Sequence, residues 1–267
     1  MTAIAVTIAG SDSGGGAGIQ ADLKTFSALG VYGASVLTAL TAQNTHGVTG
    51  IHDVPPAFVR AQMLAVYSDL AVTATKIGML SQPETIEAVV ASVKQHKTGR
   101  IVLDPVMVAA SGDPLLAQEA VKALVSDLMP LADIVTPNLH EAAHILAQDM
   151  ATSEEQMRAQ AAHLMDLGAR CVLLKGGHSE GEDARDLLKT CDQELWVSGR
   201  RIETANTHGT GCTLSSAIAA ELANGAGLED AVKAAKAYIS GAIEASDRLK
   251  IGTGHGPVHH FFQTWDA

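Results

Sequence analysis

Four short clusters in this chain carry residue types that can do chemistry. The first is Gly10-Ser-Asp-Ser-Gly-Gly-Gly-Ala-Gly18. Five glycines in nine residues let the backbone approach a ligand closely, and the helix start behind them can attract an anion. Gly16-x-Gly18-x-x-Ala21 is also a loose dinucleotide fingerprint, which wants an acid about 20 residues on. None stands around Thr41–Asn44, and the first acid after Asp22 is Asp53. No Gly-Lys dipeptide occurs, so this is no Walker loop. A plain flexible turn is the other reading.

The second cluster is Asn206-Thr-His-Gly-Thr-Gly-Cys212, directly before an amphipathic pattern. Gly209 and Gly211 strip a helix start of side chains, so its N–H groups can form an anion hole. Cys212 would sit in the first turn, where the helix dipole lowers a thiol pKa, and could act as base or nucleophile. It reads equally as a small buried residue starting a helix. The third cluster is Asn138-Leu-His-Glu141, after Thr136–Pro137. A carboxylate at the C-terminal end of a strand is where open α/β sheets place ligands, and with Asp104 it could hold Mg²⁺. The same residues suit a helix cap, with Asn138 as N-cap and Glu141 reaching back. The fourth is Lys175-Gly-Gly-His178. A lysine before two glycines suits a phosphate, and it suits an exposed turn as well. His255, His259 and His260 lack partners at ligand spacing and read as surface residues rather than a metal site.

The elements that must position these clusters follow from pattern. Apolar runs predict strands at Ile4–Ala9, Val31–Leu40, Val48–Val54, Thr73–Ile77, Arg100–Leu103, Ala132–Val135 and Ala169–Leu174. Helical spacing predicts helices over Ala17–Leu29, Ala57–Leu70, Pro83–Lys94, Pro114–Asp127, Leu139–Ala147, Ser153–Leu167, Gly211–Ala223 and Leu228–Ser246. Arg185–Thr190 and Glu194–Glu203 alternate like a hairpin at a sheet edge. Repeated β-α units with apolar strands predict a parallel sheet covered on both faces. No linker or repeat divides the chain, so one domain over residues 1–267 is expected; the hairpin argues against a closed barrel. All four clusters then fall on one edge of the sheet and describe a cleft for a phosphorylated ligand.

Composition narrows the partners. Lys plus Arg is 18 and Asp plus Glu is 29, so the net charge is −11, which argues against nucleic acid and anionic membranes. Aromatics at 3% leave no base-stacking platform. Three cysteines at 171, 191 and 212 fit no disulfide framework and point to a reducing cytoplasm. The apolar N-terminus lacks a basic region and reads as a buried strand, not a signal peptide. No run reaches the ~20 apolar residues of a membrane helix.

The segments at 8–30, 38–45 (TALTAQNT), 76–80 (KIGML), 104–107 (DPVM), 136–142 (TPNLHEA), 175–178 (KGGH), 206–220 and 252–260 (GTGHGPVHH) together resemble the hydroxymethylpyrimidine and hydroxymethylpyrimidine-phosphate kinases of thiamine biosynthesis, in the ribokinase-like superfamily. The resemblance covers nearly the whole chain. It implies a three-layer α/β/α sandwich with a mostly parallel central sheet, and ATP-dependent phosphorylation of the pyrimidine's hydroxymethyl group and then of the monophosphate. It implies that Gln43, Gly10, Asp22, Met79 and Val106 hold the pyrimidine. It assigns the anion hole to Gly209, Thr210, Gly211 and Cys212, with Cys212 in the place of the sugar kinases' aspartate base. Lys175, Thr207 and Lys236 would meet ATP, and Glu141 and Asp104 would serve Mg²⁺. A homodimer is expected on the same ground. One local departure is Ala109–Ala110, where a basic residue is commoner. The alternatives are a pyridoxal kinase of the same superfamily, a dinucleotide-dependent oxidoreductase, which the missing acid disfavours, and a non-catalytic pyrimidine sensor, which would need neither anion hole nor lysine.

Overall fold

The computed structural model describes residues 2–107, 118–177 and 183–265. Its strands are β1 (Ile4–Asp12), β2 (Tyr32–Asn44), β3 (Gly47–Asp53), β4 (Ala74–Ile77), β5 (Arg100–Leu103), β6 (Ile134–Val135), β7 (Val172–Leu174), β8 (Asp183–Lys189) and β9 (Glu194–Arg200). They form one open sheet in the order β3-β2-β1-β4-β5-β6-β7-β8-β9. The pairs from β2 through β1 to β7 are parallel. The β2–β3, β7–β8 and β8–β9 pairs are antiparallel.

Period-two alternation distributes the strand side chains to two cores. Val6, Ile8, Ile77, Ile101, Leu103, Val135, Val172 and Leu174 face one; Ala5, Ala74, Val102, Ile134 and Leu173 face the other. The first core is covered by α2 (Pro56–Tyr67), α3 (Pro83–Gln95), α4 (Gln118–Ala123) with its π-helical continuation Leu124–Leu128, α5 (Leu139–Leu146) and α6 (Glu154–Asp166). The second is covered by α1 (Gly18–Ala28), α7 (Thr210–Ala223) and α8 (Leu228–Glu244). Strands buried on both faces are apolar at most positions, which is why the central strands read as nearly continuous apolar runs; Thr7, Thr75 and Lys76 are buried polar exceptions. The expected three-layer α/β/α sandwich with a mostly parallel sheet is the architecture found.

Three differences from the sequence expectation matter for the site. The run at 31–40 continues past its expected end to Asn44 as β2 and turns back directly into β3, its antiparallel partner. That extension carries Gln43 into the sheet. The helix expected from Pro114 is described only from Gln118, and Ala109–Ala110, Pro114 and His178 lie outside the described residues. His259 and His260 are buried, not surface residues as expected, because the C-terminal segment packs back on the helices. The His259 N–H donates to the Ala242 carbonyl, Tyr238 Oη donates to the His260 carbonyl, and His260 Nε2 lies 3.0 Å from Thr213 Oγ1. No group of three metal-ligating side chains is found among the described residues.

Candidate active site

The two glycine clusters meet. The loop after β1 is organised by Asp12, whose carboxylate accepts the N–H groups of Gly14, Gly16 and Ala17 at 2.8–3.0 Å. Its other partner is His208 Nε2, 2.9 Å from Oδ2. Burial pushes the Asp12 carboxyl up, but the His208 bond and those backbone N–H groups outweigh it and hold the group below its usual value. Gly209, the N-cap of α7, adopts φ 81°, and a Cβ there would collide with the Gly16 carbonyl oxygen. Only glycine permits both the left-handed backbone and that approach.

The first turn of α7 faces an ion cluster. N–H groups in the first turn of a helix have no intrahelical acceptor and carry the positive end of the dipole. A Cβ on Gly211 would sit 3.4 Å from Lys175 Nζ and 3.7 Å from Asp104 Oδ2. Lys175 follows β7, where its N–H bonds the Pro137 carbonyl, and its Nζ lies 3.0 Å from Asp104 Oδ1 and 3.8 Å from Glu141 Oε2. Asp104 ends β5 and also accepts from Ser215 Oγ and Thr136 Oγ1. Glu141 sits in the expected capping box: Asn138 N–H donates to Oε2 at 2.7 Å, and Glu141 N–H donates to Asn138 Oδ1 at 2.8 Å. The cap and the cluster thus share one carboxylate.

Charge in this cluster is unevenly settled. Burial alone would raise Asp104, but the ammonium groups of Lys175 and Lys76 hold it below its usual value. Burial pushes Glu141 up to about 7; Lys175 pulls it down and the Asp104 charge adds to the rise. Burial depresses Lys175, and the two carboxylates more than reverse that. Two hard oxygen donors with one poorly stabilised negative charge fit a Mg²⁺ ion, which takes one or two carboxylates and completes its shell with phosphate oxygens and water.

Cys212 corrects one expectation. Although the residue keeps some exposed surface, burial pushes its thiol up to about 11 instead of the helix end lowering it. Lys76 and the Gly18 N–H pull in the other direction, while Asp22 and Asp104 add to the rise.

The remaining expected residues divide. Gly10, Met79 and Gln43 lie on the β1–β2 side of the loop: the Met79 methyl covers Gly10, and Gln43 Oε1 accepts from Thr41 Oγ1 at 3.0 Å. Gln43 Nε2 is 3.4 Å from His208 Nε2, and both line a pocket with Asn44, His46 and His255. Val106 is half-buried, its N–H on the Asp104 carbonyl, and Thr207 is exposed two residues before the α7 cap. Asp22 does not reach the cleft. It has no exposed surface and is bound by Lys76, Thr7 and Ser216. Lys236 Nζ pairs with Asp186 Oδ2 at 2.7 Å, and Asp186 Oδ1 accepts the Gly176 N–H next to Lys175. Sequence reasoning missed Asp12, His208, Ser215, Asp186 and Lys76 as members of this network. The signal for Lys76 was present as a lone charge inside a strand that is otherwise uncharged.

A family profile described as phosphomethylpyrimidine kinase matches residues 12–259. The chain is 60% identical over 265 residues to a hydroxymethylpyrimidine/phosphomethylpyrimidine kinase of Rhizobium meliloti (strain 1021), covering 99% of each. It is 44% identical to a solved phosphomethylpyrimidine kinase from Clostridium difficile 630, with TM-score 0.79 and coverage of 90% of this chain and 99% of that one. It is 37% identical to a Bacillus subtilis pyridoxal kinase solved as an ADP complex, with TM-score 0.90 and coverage of 97% and 98%.

Proposed function

The chain belongs to the phosphomethylpyrimidine kinase family, and on that premise we propose that it phosphorylates 4-amino-5-hydroxymethyl-2-methylpyrimidine to the monophosphate and then to the diphosphate, with ATP as donor, in thiamine biosynthesis. The observation that carries the reading at the site is the convergence of Lys175, Asp104 and Cys212 on the glycine-lined start of α7. An anion hole, a fixed cation and a proton acceptor in one place are what phosphoryl transfer asks of a protein.

The roles follow from position. Gln43 offers amide donor and acceptor to the pyrimidine, with Gly10, Met79 and Val106 beside it. The N–H groups of residues 209–212 and the Lys175 ammonium hold the phosphoryl group that moves. The substrate oxygen forms a bond to the γ-phosphorus as the bond to the ADP oxygen breaks, and the hydroxyl proton passes to the Cys212 thiolate. The thiol then returns that proton to solvent. A loose transition state needs little base help, so a thiol with little thiolate at neutral pH limits the rate without forbidding it. Asp104 and Glu141 would hold Mg²⁺, which when bound neutralises charge on the phosphate oxygens. Thr207, at the mouth of the α7 turn, is placed for the donor.

We propose further that residues 1–267 act as one kinase domain in the cytoplasm, where the three free cysteines stay reduced. A homodimer is supported by the β3 edge strand and by large apolar side chains exposed on β2, β3 and α2: Tyr32, Leu40, Ile51, Phe58 and Leu64. Light scattering tests that. No helix among the described residues is long and apolar enough to cross a membrane.

A second reading is favoured by one observation, the TM-score of 0.90 to the pyridoxal kinase. Pyridoxal also presents a hydroxymethyl group on a flat nitrogen ring. ³¹P NMR with Mg-ATP and each substrate in parallel tubes separates the two. Successive monophosphate and diphosphate signals from the pyrimidine support the first reading. Product from pyridoxal alone moves the activity to that vitamer.

A further inference from the structure

Beneath the start of α7 lies an ion pair that the reaction described above does not use. Lys76, in the middle of β4, has no exposed surface, and neither has Asp22 on α1. Taking two charges out of water is rarely repaid by their attraction, and a packed apolar pair would serve stability as well. Function is the better reason for such a pair, and its surroundings say which function. Lys76 Nζ donates to both Asp22 oxygens at 2.9 Å. Thr7 Oγ1 and Ser216 Oγ donate to the same carboxylate, each at 2.6 Å. Burial raises the Asp22 carboxyl, but four hydrogen bonds from three donors on its two oxygens are the surroundings of the ionised, acceptor-only form. Gly78 leaves the ammonium its space, since a Cβ there would stand 2.8 Å from Nζ.

Two helices carry this pair to Cys212. Ser216 follows Cys212 by four residues on α7, and Asp22 follows Gly18 by four on α1. Residues at that spacing share a helix face. Ser216 meets Asp22, and one turn back the Gly18 N–H meets the Cys212 sulfur. The thiol therefore faces the same seam as the pair. Among the charges around it, Lys76 on β4 favours the thiolate first; Asp22 on α1 and Asp104 after β5 oppose it, and Lys175 after β7 is the other cation nearby.

We infer that Lys76, clamped by Asp22, is a positioning residue of the transfer: it supplies, from the sheet beneath α1 and α7, the positive charge that lets Cys212 accept the substrate's proton. Asp22 keeps the ammonium charged and fixed in the core and does not bind substrate. This rests on the reading of Cys212 as proton acceptor, and the test separates the two.

In a protein with Cys171 and Cys191 replaced by serine, the pH dependence of Cys212 alkylation by iodoacetamide is measured for Lys76→Met and for the double variant Lys76→Met/Asp22→Asn. Each is checked for folding by thermal melting. Loss of a cation next to a buried thiol should move the alkylation midpoint up by about 1 pH unit or more in Lys76→Met, and by less in the double variant, which also removes the opposing carboxylate. With the pyrimidine, kcat at pH 7.5 should fall by up to about tenfold per pH unit of that shift while KM stays within about threefold, as for a contact that matters only in the transition state. An unchanged alkylation profile in folded Lys76→Met overturns the inference. If that variant does not fold, Lys76→Gln, which removes the charge but can still donate to Asp22, is judged by the same criterion. Cys212→Ala is the control: full kcat there removes the proton-acceptor reading itself, whereas lost kcat there with unshifted alkylation in the Lys76 variants removes only the role of Lys76.

Discussion

The Asp12 carboxylate and the His208 ring meet at 2.9 Å although 196 residues of chain separate them. One organises the glycine loop after β1; the other stands immediately before the Gly209 cap of α7. Their bond closes the two halves of the site on each other, and the Gly16–Gly209 contact lies just beside it. His208 also borders Gln43, so a single imidazole touches the start of α7 and the Gln43 amide.

His208→Ala should therefore cost both stability and substrate affinity. A buried hydrogen bond to a charged group contributes about 1.5–3 kcal/mol, and losing its partner leaves Asp12 with backbone donors alone. For a chain of this size that predicts a Tm lower by roughly 4–10 °C. The pyrimidine KM should rise by about tenfold, because Gln43 loses its neighbour while α7 keeps its own start. His208→Gln, which can still donate to Asp12, should recover most of the Tm. Melting curves and initial rates check both; an unchanged KM in His208→Ala would separate Gln43 from this network.

Cys212→Ala should lower kcat by about 100-fold or more and leave substrate affinity within about tenfold, since the thiol acts on the reacting proton and not on the ring. The pH profile adds a sign. With the thiol pushed up to about 11, the active thiolate is the minor form at neutral pH. kcat should then climb with pH across the range 7–9, approaching tenfold per pH unit where chemistry limits, and Cys212→Ala should lose that slope. A flat wild-type profile would reduce Cys212 to a substrate contact.

Gly211→Ala separates ligand space from folding. The added Cβ stands at ordinary contact distance from Lys175 Nζ and Asp104 Oδ2, so the apo protein accommodates it. Alanine is a better helix former than glycine by about 0.5–1 kcal/mol, so Tm should hold or rise. The methyl group nevertheless lies where a phosphate must approach, and the KM for ATP should rise by about tenfold or more. Gly209→Ala is the contrast. It forces φ 81° on a side chain and a clash with Gly16, so it should melt well below the wild type.

The fold was largely legible because double-sided burial writes itself as apolar runs, and the helices as 3.6-residue spacing. The glycine clusters were legible for the same kind of reason: close backbone approach tolerates no other residue. Contacts across the chain were not. Nothing in the string says that Asp12 will meet His208, or that Lys236 will pair with Asp186. The family resemblance put Asp22 with the pyrimidine; one helical turn past Gly18 carries it inward, to Lys76. The Cys212 thiol was misjudged because a helix end was weighed without the burial and the two carboxylates around it.

Glu141 is where activity and stability should pull apart. Burial pushes its carboxyl up to about 7 in the folded protein, from an ordinary value of about 4.5. Between those two pH values the folded state binds the extra proton, so stability falls as pH rises from about 4.5 through about 7, and above that the ionised carboxylate is a standing cost. Glu141→Gln removes the charge, and its amide oxygen can still accept the Asn138 N–H, so the cap survives. The variant should melt roughly 2–4 °C above the wild type at pH 8 and level with it near pH 5. It should also lose most of its kcat/KM for Mg-ATP, because Asp104 is left as the one carboxylate of the proposed Mg²⁺ site. Melting curves at the two pH values and rates at varied Mg²⁺ measure both halves. A variant that melts lower than the wild type at pH 8 would show that the Glu141 charge is repaid by Lys175, and that the cluster was built for stability.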